Sequence, residues 1–560
     1  MKTVHFFLGV LVLSSLAGCS KCGDEGGGVA PKGAEGKPPL TLVVAYGSEK
    51  KSWLEEQARA FEASEAKLGS GRRIRVEGKA LGSGEAAQAI AAGDLKPHVF
   101  SPASGAYITL LNDTWLSAAG RTKAICPSGE PLVLSPIVIA LWKPMAEALG
   151  WPKKALGWSD FLRIAADPKG WGAYGHPEWG GFKLGHTHPE YSNSGLLAVL
   201  AEAYAGAKKT RGLTVADLEK DSTTKLLTSI EGMLVHYGKS TGFYADKMLS
   251  RGPGFVSAAV LYENLVIESY AKQTQAPFPI VAVYPVEGTF WSDHPYSVLD
   301  APWVGAEERE AAQVFLAFLK AKPAQERALA LGFRPGDPAI AIAAPIDEAH
   351  GVDPKQPQTL LEVPEAATLK KLLEVWRKTK KATDVVLVFD KSGSMNGAPL
   401  AQAKVGAKAF LGSLTDRDRV TLMFFDNKVY PPVGPLSMAD GRGKLTAQVD
   451  SAIAAGGTSM YDAVAQANQL ARERALTEPG TIHAVVVMTD GKDENSQLNL
   501  EALRGQFSGD EAAVRLFTIA YGDQAEGAVL ESIAEAGKGS YAKGSLTNIV
   551  DVYRDMASFF

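Results

Sequence analysis

Cysteine is scarce: Cys19, Cys22 and Cys126 are the only three in 560 residues, too few for a disulfide framework or a four-thiolate zinc site. Charge of one sign is lacking too. Against 62 Asp+Glu stand 58 Lys+Arg, a net −4, and without a basic field nucleic acid is not an expected partner. No stretch reaches about 18 uninterrupted apolar residues, which disfavours a membrane-spanning helix; the longest candidate, Leu132 to Trp142, is broken by Ser135 and Pro136. There is no internal repeat of fixed period. Spacing assigns no Ser-His-Asp, Cys-His or paired-carboxylate constellation, so nothing speaks for an enzyme. Gly238, Lys239 and Ser240 imitate the end of a phosphate-binding loop, but Met233 stands where its first glycine is required, which excludes nucleotide binding there.

What is present is an ordinary globular composition, 46% apolar and 21% charged, with a length that suggests several domains. The first residues, MKTVHFFLGVLVLSSLAGCS, carry Lys2, an apolar core from Phe6 to Leu13 and then small residues, the pattern of a secretory signal over residues 1–18. Leu16, Ala17, Gly18 and Cys19 resemble the bacterial lipobox. That resemblance implies a lipid on Cys19 and a membrane anchor in the cell envelope, with the folded domains extracytoplasmic. By analogy with lipoproteins of two-membrane bacteria, Ser20 rather than Asp favours the outer membrane. Residues 19–39, rich in Gly, Pro and Lys, read as a flexible tether. A bridge between Cys22 and Cys126 is conceivable in an oxidising compartment, though two free thiols fit better.

From Leu40 to about residue 345, short apolar runs alternate with amphipathic stretches: Thr41 to Tyr46 reads as a strand, and Trp53, Leu54, Ala58 and Phe61 share one helical face. Pro345 to Pro364 reads as a linker. A connecting helix follows, with Leu369, Leu372, Leu373 and Trp376 on one side, its basic end a solvated face rather than a lipid contact. Residues 346–381 thus separate the first α/β domain from a second at 382–560, which carries a net −6 while the rest carries +2.

The second domain holds the most specific chemistry. After the strand Asp384 to Phe389 come Asp390, Ser392 and Ser394; Thr458 follows on a glycine-rich loop that opens a helix; Asp490 follows the strand His483 to Met488. Ligands in open α/β sheets gather at such strand ends. Two carboxylates and three hydroxyls form an all-oxygen set suited to Mg²⁺, with Mn²⁺ or Ca²⁺ possible, rather than zinc. These positions, with Val420 to Phe425 and Val514 to Ala520 as further strands, resemble the metal-ion-dependent adhesion site of von Willebrand factor type A (VWA) domains. The resemblance implies a doubly wound, Rossmann-like fold and a partner protein whose acidic side chain completes the metal's shell.

Residues 40–345 resemble type II periplasmic solute-binding proteins through TLVVAYGSEK, LGSGEAAQAIAAGDLKPHVFSPAS, HTHPEYSNSGLLAVLAEAYA and FLKAKPAQERALALGFRP. This implies an α/β fold of two lobes around a cleft. Ser48, Ser83, Ser101 and Ser194 each stand just before an expected helix, where free N–H groups could hold a small oxyanion or carboxylate without a charged side chain. Each could also merely cap its helix. His186 and His188 form an HxH, with His176 nearby, but no acidic or cysteine partner has metal-site spacing, so they read as loop or cleft polarity. Trp171, Trp179, Trp291 and Trp303 read as lobe packing, with Trp179 and Trp291 also able to line a cleft. The sequence therefore reads as a membrane-anchored binding lipoprotein; the alternative is a solute receptor of an ABC-type transporter with an accessory VWA domain.

Overall fold

The structure is a computed structural model that describes residues 38–272, 276–478, 480–507, 514–522 and 524–560. The expected signal, Cys19, Cys22 and nearly all of the tether lie outside the described residues. Among the described residues, no helix is long and apolar enough to cross a membrane.

Three sheets organise the chain. In the first lobe, Leu40–Gly47 runs parallel to Ile74–Leu81 on one side and to Val99–Ser101 on the other, and antiparallel Pro295–Val298 and then Glu130–Pro131 extend that second side. Trp53, Phe61 and Phe315 pack beneath it. The second lobe is built on Val133–Trp142, the run whose Ser135 and Pro136 break a membrane-type stretch. Its β-branched and aromatic residues instead make a buried strand paired to Ala258–Tyr262, Ile280–Val283, Trp291–Ser292 and Arg334–Pro335. Leu184–Thr187 and Leu234–Gly238 complete that sheet. The chain passes between lobes at Pro131–Val133 and again at Ser292–Pro295.

The third sheet has the order Val433–Ser437, Arg419–Phe425, Thr383–Asp390, Ile482–Thr489, Val514–Tyr521, Tyr541–Gly544, parallel except for its first edge strand. Side chains alternate across a strand. Val385, Leu387 and Phe389 accordingly join Phe410, Leu445 and Tyr553 on one face, while Val386 and Val388 join Met460, Val464 and Leu530 on the other. A strand buried on both faces reads as one unbroken apolar run, as VVLVF does.

The passage from 346 to 381 differs from a linker. Ile346, Val352 and Leu361 are buried, the Leu361 N–H donates to the Thr289 carbonyl at 2.8 Å, and Arg334 donates to the carbonyls of Asp353 and Pro354. The connecting helix forms as Ala366–Thr379, but its apolar side, with Leu369, Leu372, Val375 and Trp376 buried, packs on the second lobe and on the first-lobe helix Gly105–Leu116. The basic end of the connecting helix is solvated in part, with Arg377 and Lys378 exposed, while the lysines beyond the helix are engaged. Arg377 pairs with Glu190, Lys380 lies between Asp418 at 3.2 Å and the Phe560 main-chain oxygen at 2.9 Å, and Lys381 donates to the Leu234 carbonyl at 2.7 Å. One apolar cluster runs from the second lobe through this helix into the last domain.

Trp376, 1% exposed, sets its ring edgewise to His188 at 4.8 Å and Tyr237 at 5.5 Å. Trp376→Ala is expected to cost about 3–5 kcal/mol and to split one calorimetric unfolding transition into two. A wild type that already melts in two independent steps would show that the junction does not couple the domains.

Candidate metal centre and interlobe cleft

Asp390 ends the strand Thr383–Asp390, whose neighbour Ile482–Thr489 runs parallel with Phe389 opposite Met488. The register therefore brings Asp390 and Asp490 to the same rim of the sheet. One Asp390 oxygen accepts the Ser392 N–H at 2.7 Å and the other accepts the Thr489 hydroxyl at 2.5 Å. The Ser392 and Ser394 hydroxyl oxygens are 3.0 Å apart, and the Ser394 hydroxyl donates to Asp490 Oδ1 at 2.7 Å. Thr458 arrives from the loop across the rim, held by its N–H to Asn495 Oδ1 at 3.0 Å and by Gly393 N–H to Gly456 O at 2.9 Å. A Cβ on Gly491 would lie 3.2 Å from the Thr458 hydroxyl and 3.6 Å from that of Ser394, which places both hydroxyls around that glycine.

All five sequence-identified oxygens thus meet at one rim. Asp390, Ser392, Thr458 and Asp490 are buried, whereas Ser394 is exposed and opens the site to solvent. Burial pushes the Asp390 carboxyl up to about 6 against hydrogen bonds from Thr489 and Ser392, and the Asp490 carboxylate adds to the rise. Asp490 is raised by burial as well. Two buried carboxylates side by side, surrounded by hydroxyls and with no lysine or arginine paired to either among the described residues, suit a hard dication. The nearby Lys391 is engaged by Asp426. Sequence reasoning missed Thr489 and Asn495, which position Asp390 and Thr458; only their adjacency to Asp490 hinted at them.

Of the four candidate serines, Ser48 reaches across the lobes, Ser83 and Ser101 belong to the first lobe and Ser194 to the second. Ser48 Oγ accepts the Gly242 N–H across the cleft at 3.2 Å, and Ser83 Oγ accepts the Ala103 N–H at 3.1 Å. Ser194 Oγ sits 2.8 Å from both the Thr187 and Thr241 hydroxyls. Ser101 Oγ and His294 Nε2 are buried with no hydrogen-bond partner among the described residues, while Ser292 lies against the Tyr262 hydroxyl. None of the four caps its helix; Ser104 does, accepting from Ala106 N–H at 3.4 Å. The helix Ser83–Ala92 has its first N–H groups taken: Gly84 and Glu85 donate to the Tyr191 carbonyl of the other lobe at 2.9 and 3.0 Å.

A charged side chain does stand in the cleft, contrary to expectation. Lys50, fully buried, lies 2.8 Å from Glu49, 3.3 Å from the Pro102 carbonyl and 3.3 Å from His294 Nδ1. Burial works against ionisation of both partners, lowering the Lys50 amine, yet Lys50 and His294 hold the Glu49 carboxyl at about 2. No periodic signal marked Glu49 and Lys50, which follow a strand like ordinary loop charges. At the mouth remains a cavity of about 410 Å³ lined by Ser48, Glu49, Ser52, Asp246, Glu268 and Lys272.

The other polar signals separate. His176 stacks on Trp179 at 3.8 Å, His188 packs on Trp376, and His186 turns into the second lobe. Trp171 is buried, Trp303 donates to the Pro97 carbonyl, and Trp291 lies under the Arg334 guanidinium at 5.0 Å. Cys126 is a free, buried thiol whose hydrogen bond goes to Ser297, and burial pushes it up to about 12.

The family model for bacterial extracellular solute-binding proteins matches residues 42–334, and that for the von Willebrand factor type A domain matches residues 384–554. Among curated proteins, inter-alpha-trypsin inhibitor heavy chain H4 of Homo sapiens is 30% identical over 171 residues, covering 28% of this chain and 17% of that one. An uncharacterized protein of Synechocystis sp. is 26% identical over 157 residues, 28% of this chain and 36% of the other. The chain thus spans between about a sixth and a third of the length of these relatives. A solved periplasmic thiamin binding protein aligns over 63% of this chain and 99% of its own, with 14% identity and a TM-score of 0.44.

The raised Asp390 carboxyl has a thermodynamic sign. Its stabilising contribution to the metal-free fold is present at low pH and is lost as pH rises through about 6. A dication binds only the ionised form. The rise in melting temperature on adding Mg²⁺ is therefore expected to be larger at pH 7.5 than at pH 5, with apparent affinity falling about tenfold per pH unit below 6. Equal shifts at both pH values in differential scanning fluorimetry would separate Asp390 from the metal.

Proposed function

The chain belongs to the bacterial extracellular solute-binding protein family, and we propose that it is an extracytoplasmic binding protein that grips a protein partner through a divalent cation on its VWA domain. Asp390, Ser392, Ser394, Thr458 and Asp490 would hold the ion, most simply Mg²⁺, with Mn²⁺ or Ca²⁺ as alternatives, and a Glu or Asp of the partner would complete its shell. A lipid on Cys19 would tether the protein in the cell envelope, at the outer membrane on the Ser20 reading. The reading is of a binder rather than an enzyme: the five donors include no nucleophile with its base.

The observation that carries this reading is the direction of the site. The strand Thr383–Asp390 begins beside Lys381, which is bonded to Leu234 of the solute-binding domain, and ends at the metal rim. Eight residues at about 3.3 Å each put the rim roughly 25 Å from the junction. A macromolecule can therefore reach the exposed Ser394 edge without meeting the other domain.

A second reading, the receptor of an ABC-type transporter, draws on the buried Ser101 Oγ and His294 Nε2, which have no hydrogen-bond partner among the described residues. Such atoms are costly unless a ligand or water satisfies them. It predicts that isothermal titration with small oxyanions and organic acids finds one that binds and that Ser101→Ala weakens it; silence across the panel removes this reading.

The metal reading is tested by pull-down from envelope extract with Mg²⁺ or chelator, comparing wild type with Asp390→Ala. The expected result is one specific partner captured by wild type with Mg²⁺ and lost in both other arms. Identical captures in every arm would overturn it.

A further inference from the structure

His186 lies on the strand Leu184–Thr187, Glu202 in the middle of the helix Asn193–Ala207, and Glu231 at the end of the helix Asp221–Glu231. All three are completely buried, and one ligand atom from each lies within 4.8 Å of the others. Glu202 is the only charged residue of its helix, set among Leu196, Leu197, Val199, Leu200 and Ala203, and neither of its carboxyl oxygens has a hydrogen-bond partner among the described residues. A bare carboxylate in such surroundings is too costly to persist without a counter-charge.

The histidine sharpens the case. Its Nδ1 lies 2.7 Å from the Thr187 carbonyl, which can only accept, so Nδ1 carries the proton. In the neutral ring Nε2 then presents a lone pair, yet it faces Glu231 Oε1 at 3.2 Å. The other Glu231 oxygen already accepts the Tyr237 hydroxyl at 2.5 Å. Two lone pairs face one another unless a cation joins them. With protons alone two are needed, one between Nε2 and Glu231 and one that neutralises Glu202; a single dication answers all three.

We propose that His186, Glu202 and Glu231 form a second metal site, distinct from the VWA rim, for a divalent first-row transition ion of the zinc class. Zinc bonds of about 2.0–2.2 Å give tetrahedral edges of about 3.4 Å, close to the 3.2 Å between His186 Nε2 and Glu231 Oε1. The mixed imidazole and carboxylate set favours zinc over Mg²⁺, which prefers oxygen ligands and keeps several waters. The Thr187 carbonyl orients the ring, as outer partners of metal-bound histidines do. A second carboxyl oxygen can supply the fourth ligand. The role is structural: Tyr237, bonded to Glu231, also lies against Trp376 and donates its N–H to the Phe559 carbonyl at 3.3 Å, so the ion would stiffen the floor on which the VWA domain sits.

A buried site loads as the lobe folds, so the test refolds the full chain with Zn²⁺ or with chelator, in an Asp390→Ala background that disables the VWA rim. After dialysis, elemental analysis is expected to find about one zinc per Asp390→Ala chain and almost none once Glu202→Gln is added. Zinc-refolded protein should melt higher than chelator-refolded protein only when Glu202 is present, and cobalt(II) should give the visible spectrum of a four-coordinate site. His186→Ala should lose the zinc as well; where it fails to fold, the near-isosteric Glu202→Gln carries the test. Folded Asp390→Ala protein without zinc, or zinc retained equally by Glu202→Gln, would overturn the proposal. A stabilising Glu202→Gln with no zinc in either protein would instead assign the cluster to a trapped proton.

Discussion

Between Val375 and Lys381, one turn of helix and the chain leading to the next strand are shared by two domains, and the placement of everything else depends on it. Lys380 is buried between Asp418 and the Phe560 main-chain oxygen. Removing either side of a buried ion pair leaves an uncompensated charge, at about 3–5 kcal/mol. Lys381, its amine lowered by burial to about 8 while Glu231 pulls the other way, is bound to Leu234 in the second lobe. With Trp376 buried between them, these contacts fix the direction in which Thr383–Asp390 leaves the junction. That direction puts the Asp390 and Asp490 rim at the far end of the VWA sheet.

The loop from His188 to Ser192 extends the same constraint into the cleft. Its Tyr191 carbonyl closes the helix Ser83–Ala92, its Glu190 carbonyl accepts from Gln88 at 2.9 Å, and its Pro189 carbonyl accepts the Tyr107 hydroxyl. The Glu190 side chain meanwhile pairs with Arg377 of the connecting helix, and His188 packs on Trp376. Lys239 reaches Glu85 in the first lobe and Asp555 in the VWA domain at once. Lobe closure and domain seating are made by the same residues, so motion of one lobe strains the junction.

Much of this was legible in the residues because it is local. VVLVF announces a strand buried on both faces, and Asp390, Ser392, Ser394, Thr458 and Asp490 sit where strand ends and a glycine loop deliver them. The unforeseen features are long-range. Pro345 to Pro364 has the composition of a linker, yet Ile346, Val352 and Leu361 find apolar surface that only the folded second lobe creates. Lys380 and Lys381, just past the connecting helix, look solvated because their partners, Asp418 and Leu234, are far away in sequence. The HxH spacing puts His186 and His188 on one face only while the strand stays extended, but the strand ends at Thr187, and the helices carrying Glu202 and Glu231 meet His186 through tertiary packing alone.

The balance of charge separates the two candidate binding places. An anion entering the cleft would have to displace the Tyr191 carbonyl from the N–H groups of Gly84 and Glu85, exchanging one acceptor for another. Such an exchange nets the difference between a neutral hydrogen bond, about 0.5–1.5 kcal/mol, and a charge-assisted one, about 1.5–3. Lys50 adds little to that difference, because Glu49 already neutralises it at 2.8 Å and would repel the newcomer. At the VWA rim the position is reversed: Asp390 and Asp490 are raised by burial, Asp390 further by its neighbour, and the nearby Lys391 is committed to Asp426. The uncompensated charge lies with the rim carboxylates, where a dication gains the full Coulombic benefit. The metal rim therefore carries the stronger case for recognition, and the lobes hold it at a distance.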